Sequence, residues 1–320
     1  MTVFLMRNKK NNKIKVLVAM SGGVDSSVAA ALFVSQGYEV TGTFMVNYES
    51  EITQMTSENY TDSKCWTGDY QDALRVTAKL GIPLLRLDFR KEYKQKVLDY
   101  MYAEYRQGRT PNPDVLCNKF IKFGFWLDKA KELGFDKLAT GHYARLGRKI
   151  INSKSQILNK SKFPISNFQL LISKDKNKDQ TYFLHQLNQE QLKYTLFPLG
   201  NYTKPQVRKL AQKFDLPTAD KEESMGICFV GEVPMKEFLM KKIKSKPGGI
   251  ILSSGEKVGE HEGLPFYTIG QRYGLSRNPL LSKEGSGPAR SALQSEAGGG
   301  GLPKKGDNTK PLFVVDKKAE

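Results

Sequence analysis

Cysteine is scarce. The 320 residues contain three, Cys65, Cys117 and Cys228, an odd number and widely scattered. A secreted disulfide scaffold uses more of them in pairs, so the chain reads as a protein of a reducing, cytoplasmic compartment. No CxxC pair occurs, and His142, His185 and His261 lack ligand spacing, so no metal site is expected. Nowhere do ~18 apolar residues run together, so no membrane span is expected either. The opening MTVFLMRNKKNNK is too short in apolar residues for a secretory signal. Acidic residues are also short, 33 against 50 Lys and Arg, which gives 50 − 33 = +17. That excess points to a polyanionic partner, nucleic acid before membrane surface, although a lysine-rich proteome drifts the same way. Present in quantity are hydrophobic residues (39%), with 17 Phe and 14 Tyr, enough for a globular core. The length suits more than one domain.

Residues 13–20 (KIKVLVAM) read as a buried strand, followed by a Gly-rich loop and an Ala-rich helix over 28–36. Strands are expected at 38–46, 82–89 and 137–140, with helices at 72–80, 92–106 and 119–133 between them. Alternation of this kind implies parallel strands with crossover helices, an open doubly wound α/β domain over residues 1–145. Its ligand site belongs at the C-terminal ends of the strands. From 145 to 178 the chain carries nine basic residues and one acid, a basic surface loop or hairpin. It opens a smaller helical and mixed linker domain, 146–246, with helices expected at 182–196 and 204–214, the latter capped by Thr203. Residues 247–320 are β-rich (GIILSSGEKVGEHEG, LPFYTIGQ, PLFVVDKK), interrupted at 276–309 by a Gly/Ser/Pro-rich segment read as a disordered insert. A third β unit scarcely begins before Glu320, so this domain reads as truncated.

The strongest local signal is SGGVDSS, residues 21–27, between strand and helix. Its glycines permit a tight turn, and backbone amides at a helix N-terminus form a nest for phosphate. It lacks the lysine of a Walker A loop. A second constellation, GRTPNPDVLCN at 108–118, places Asp114 and Cys117 three apart, on one face if helical. A helix N-terminus with Arg109 and Lys119 nearby favours thiolate character at Cys117. A third, GICFVG at 226–231, sets Cys228 in a segment read as extended. A single cysteine is more often a small buried hydrophobe; two in such motifs beside a phosphate loop point to redox or sulfur-transfer chemistry.

SGGVDSS resembles the pyrophosphate loop of the PP-loop ATP pyrophosphatases, whose fold is adenine nucleotide alpha hydrolase-like. Together with GTFM, GRTPNPDVLCNKFIKFG, ATGHYAR, NKDQTYFL, FPLG, SMGICFVGE and FYTIGQR, it resembles the tRNA-specific 2-thiouridylase (MnmA/TrmU) family from about residue 15 to 272. The resemblance implies an ATP-dependent sulfurtransferase, using ATP with Mg2+, that thiolates C2 of the wobble uridine of tRNA Lys, Glu and Gln. It implies ATP binding by Ala19, Met20, Ser21, Gly22, Gly23, Val24, Asp25, Ser26, Met45 and Gly141. It places Asn112, Pro113 and Asp114 at the target base, and His142, Lys178, Asp179 and Gln180 against tRNA. Cys228 would carry a persulfide sulfur supplied by a sulfur carrier protein or cysteine desulfurase. Cys117 would either release that sulfur as sulfide or resolve it as a disulfide, and Asp114 would move protons. No membrane partner is implied. Two other readings compete: another PP-loop adenylating ligase, which the paired cysteines oppose, and a truncated tRNA-binding relic without turnover. Cys65 reads as structural or incidental, and His185 and His261 receive no role.

Overall fold

The computed structural model describes residues 13–48, 66–150, 166–222, 235–244, 246–273 and 312–318. Cys65, Cys228 with its surrounding motif, the 276–309 segment and residues 151–165 of the basic stretch lie outside these. The chain divides into two compact units, Met1–Met101 with Asn112–Val233, and Tyr102–Pro111 with Pro234–Glu320.

The first unit is built on five parallel strands. β1 (Lys15–Ala19) pairs with β2 (Glu39–Val46) on one side and β4 (Lys137–Ala139) on the other. β3 (Leu84–Asp88) lies outside β2, and β7 (Thr195–Leu196) outside β4, giving the order β3-β2-β1-β4-β7. The continuous apolar run VLV of β1 is what a central parallel strand needs, since both its faces are covered. α1 (Val24–Ser35), α2 (Trp66–Leu80) and α9 (Lys204–Lys213) cover one face, where Val16, Val18, Phe44 and Val46 meet Val28, Val76 and Val207.

The strand order reverses between β1 and β4. In a doubly wound sheet that reversal opens a crevice at the strand C-termini, so the residues after Ala19 and Ala139 face each other there. The expected α/β class and parallel sheet are borne out.

A nearly continuous helical stretch follows β3: α3 (Arg90–Tyr93), a π-helical turn (Lys94–Leu98) and α4 (Asp99–Arg106). A second runs through α5 (Pro113–Leu116), a π-helical segment (Cys117–Phe125) and α6 (Trp126–Glu132). Its buried Ile121, Phe123, Trp126 and Leu127 stand outside the cluster on the first face, and α6 packs on β4. This run therefore covers the opposite face. The basic stretch forms an antiparallel hairpin of β5 (Ala144–Ile150) and β6 (Ser166–Ile172).

The helix expected over 182–196 is instead α7 (Thr181–Leu184), α8 (Gln189–Tyr194) and strand β7. Asn188 restarts the helix with a reciprocal capping box to Gln191. Thr195–Leu196 then gains ladder hydrogen bonds to β4, which helical propensity cannot foresee.

In the second unit, α10 (Met235–Met240) presents Phe238, stacked on Tyr102 at 5.7 Å between centroids. β8 (Gly248–Ile251) and β9 (Lys257–His261) form an antiparallel hairpin, and β10 (Arg272–Tyr273) pairs with β11 (Leu312–Phe313). LPFYTIGQ, read as a strand, begins as a 3-10 turn (Leu264–Phe266), because Pro265 has no N–H for a ladder. No helix among the described residues is long and apolar enough to cross a membrane.

Candidate functional site

The loop after β1 sits in the crevice. Gly23 is the N-cap of α1 and makes no side-chain cap, so the first amides of this 12-residue helix are turned toward the loop's mouth. The serines set the loop's shape: Ser26 Oγ and Ser27 Oγ donate to the Gly23 carbonyl at 3.0 and 2.8 Å, and Ser21 N–H donates to Ser26 Oγ at 3.2 Å. Gly22 has φ +75°, and a Cβ there would lie 2.2 Å from the Asp69 carbonyl oxygen. Gly141, immediately past Thr140 at the end of β4, approaches so closely that a Cβ would stand 3.0 Å from Ser26 N. A cradle of amides, hydroxyls and two obligatory glycines fits a polyphosphate. The fold has thus brought Gly141 to the loop across more than a hundred residues. Met20 and Met45 are buried in β1's continuation and in β2.

Two lysines that carried no sequence signal, Lys204 and Lys221, brace this loop. Asp25 accepts from Tyr143 Oη at 2.8 Å and from Lys204 Nζ at 2.8 Å on both oxygens. The pairing offsets the carboxylate of α1's first turn, which would otherwise repel phosphate at the helix N-terminus. Lys221 Nζ donates to the Gly22 carbonyl at 3.2 Å and to Asp69 and Asp72 at 2.7 and 2.6 Å. Burial opposes its charge, but the two carboxylates prevail and hold its pKa above the ordinary lysine value. Each lysine is distant in sequence from its partners, so no spacing rule could have found it.

Asn112 caps α5, its Oδ1 accepting from Asp114 N at 3.1 Å and Val115 N at 3.2 Å, with Pro113 preset in the first turn. Asp114 is therefore held on a fixed turn at intermediate exposure. Cys117 lies one turn on, fully buried. Arg109, expected to support it electrostatically, belongs to the second unit and pairs there with Glu104 at 2.5 Å.

His142 is buried, its ring 5.9 Å from that of Phe123 and 6.1 Å from that of Phe197, with Nδ1 2.7 Å from Thr140 Oγ1. Burial, and secondarily the Lys122 charge, push its pKa well below 6.5, so the folded chain holds it neutral. The unfolded chain takes up that proton near pH 6.5 and the folded one does not. His142 thus supports the fold above that pH and loses its contribution as pH falls through and below it. We expect the melting temperature to drop more steeply below pH 6.5 in the native chain than in His142→Gln. Parallel melting curves would exclude this if the two profiles superimposed.

Asp179 accepts from Ser173 N at 2.8 Å and from the Thr181 hydroxyl, and Gln180 Oε1 accepts from Tyr143 N at 2.9 Å. Both side chains thus hold β6, α7 and the 141–143 turn together. Lys178 donates its backbone N–H to Asp175. Among the described residues no group of three or more His, Cys, Asp or Glu could hold a metal ion.

A family model described as the tRNA methyl transferase HUP domain matches residues 14–232, and one described as the tRNA methyl transferase PRC-barrel domain matches residues 236–280. A Bacillus velezensis protein described as tRNA-specific 2-thiouridylase MnmA is 47% identical over 267 residues, 83% of this chain and 66% of its own. A Streptococcus sanguinis protein of the same description is 48% identical over 267 residues, 83% of this chain and 65% of its own. The chain therefore spans slightly less than two thirds of these relatives' length. Among solved structures, the NMN synthetase of Francisella tularensis aligns over 67% of both chains at 18% identity, with a TM-score of 0.36.

Proposed function

The chain belongs to the tRNA methyl transferase HUP-domain family, and on that premise we propose that it is an ATP-dependent tRNA sulfurtransferase forming 2-thiouridine at the wobble position of tRNA Lys, Glu and Gln. One observation carries the reading: the phosphate cradle at 21–26, closed by Gly141, lies in the same folded unit as the Asn112-capped turn that fixes Asp114 and buries Cys117. The relatives' description as 2-thiouridylases supports the substrate.

In this proposal the amides of α1 and the loop serines hold the ATP phosphates, with Ala19, Met20 and Met45 lining the nucleotide. Mg2+ would be held mainly by the ATP phosphates, whose charge it would offset. The uridine C2 oxygen attacks the α-phosphorus, and pyrophosphate leaves. The outer sulfur of a Cys228 persulfide then attacks C2 and AMP departs with the oxygen. Cys117 attacks the Cys228 sulfur, which frees the thiocarbonyl and leaves a Cys117–Cys228 disulfide for an external thiol to reduce. Release of sulfide by Cys117 before the attack on C2 leaves the same disulfide. Asp114 moves the protons, and Asn112 and Pro113 frame the base. The tRNA lies against the turn at 142 and residues 178–180, with 146–246 serving as the linker and tRNA-binding region and 247–320 as the β-rich region. A cysteine desulfurase or sulfur carrier loads Cys228, in the cytoplasm.

The test is direct. The chain is incubated with ATP and Mg2+, a persulfide donor and unmodified tRNA, and the digested RNA is searched by mass for 2-thiouridine. Product that requires ATP and persulfide is expected. ATP-independent product, or ATP cleavage without any thiolated nucleoside, would count against the reading.

A further inference from the structure

Asn47 follows the last residue of β2 and is 3% exposed, yet neither its Nδ2 nor its Oδ1 has a hydrogen-bond partner among the described residues. A buried amide with both halves unpaired calls for an explanation, because desolvation without replacement bonds opposes folding. The surroundings supply one. Strand alternation puts Thr43, Met45 and Asn47 on the same side of β2, away from the face shared by Phe44 and Val46. Thr43 is fully buried and its Oγ1 is also without a partner. On the helical run that covers this face, Asn118, next to Cys117, buries an unpartnered Oδ1 as well. Among the described residues, unsatisfied polar atoms thus lie on this side of the sheet, and Asn47 stands at the C-terminal end of a strand beside the switch point, where ligands bind in this architecture.

Resting on the function proposed above, we infer that Asn47 reads a nucleobase through its amide. An amide presents a donor and an acceptor side by side, which matches a base edge carrying an acceptor next to a donor. Phosphate could use only the Nδ2 half, and an apolar group neither. Two bases handled by the proposed reaction have such an edge: the adenine of ATP and the uracil to be modified.

The experiment compares the native chain with Asn47→Leu and Asn47→Ala. Three quantities are read: melting temperature without ligand, ATP and GTP affinity, and affinity for unmodified tRNA. Because the amide has no partner among the described residues, Asn47→Leu should melt at the native temperature or above it. Asn47→Ala guards against overpacking by the larger side chain. Base recognition predicts at least a tenfold loss of affinity in both variants. If ATP weakens and the preference over GTP collapses, the base is adenine. If tRNA weakens with ATP unchanged, it is the target uracil. Unchanged affinities for both ligands overturn the inference, as does a lower melting temperature in both variants, which would show the amide engaged within the fold. Should the native chain bind neither ATP nor tRNA, the proposed function itself fails, and that outcome is separate because it appears before any variant is made.

Discussion

Cys117→Ser is expected to form no 2-thiouridine above background, a loss of about three orders of magnitude or more in turnover, as removal of a covalent nucleophile generally brings. The side chain is fully buried on the turn after Leu116. Serine is nearly isosteric, so the fold should survive at a cost of about 1–3 kcal/mol for a buried hydroxyl. Cys117→Ala, which adds no polar atom, separates that cost from the chemistry. Both variants should bind ATP like the native chain, since the phosphate cradle is built from β1, α1 and Gly141 without Cys117. Mass analysis of digested tRNA is the readout. More than a tenth of native product from either variant would remove Cys117 from the reaction and leave it a small buried hydrophobe.

The second large effect is expected at Gly22. A Cβ at this position meets the Asp69 carbonyl oxygen at 2.2 Å and its carbonyl carbon at 2.8 Å, both backbone atoms that no rotamer change can clear. The residue also needs φ +75°, which side-chain-bearing residues adopt at a cost. Gly22→Ala must push the loop away from the N-terminus of α2 and strain the Lys221 contact to the Gly22 carbonyl. A loss of about 3 kcal/mol in stability is expected, within the range for overpacking, together with at least tenfold weaker ATP binding. Gly37→Ala is the control, with φ +81° but nothing within 4 Å of the added carbon. It should cost about 1 kcal/mol and leave ATP affinity unchanged. Equal effects at the two positions, by thermal melting and ATP titration, would show that the left-handed backbone and not the clash with Asp69 sets the penalty.

Much of this architecture is legible in the amino-acid sequence. The run VLVAM, the glycines after it and the Ala-rich segment fixed β1, the loop and α1 because each is a local requirement: burial on both faces, a tight turn, a helical period. Thr203 and Pro205 marked the start of α9 for the same reason, and the Gln206 side chain accepts from Thr203 N at 2.9 Å. Where tertiary partners decide conformation, local pattern misleads. Residues 195–196 are strand only because β4 offers them an open edge, and 182–196 contains enough helical pattern to hide that.

The site divides in the same way. Sequence by itself determined the chemical parts: a nest of amides with serines, a helix start carrying Asp114 and Cys117 three apart, a chain depleted in acids and poor in cysteine. These are properties of adjacent residues, and adjacency is what a sequence records. Only the tertiary structure decided that Gly141 closes the nest, that Lys204 neutralises Asp25 from 179 residues away and that Lys221 spans 199 to reach Gly22. It also decided that His142 is buried between Phe123 and Phe197 and that Asn47 is buried with its amide unspent. Charge pairing and desolvation depend on distance through space, and the crossover connections of a parallel sheet separate that distance from distance along the chain.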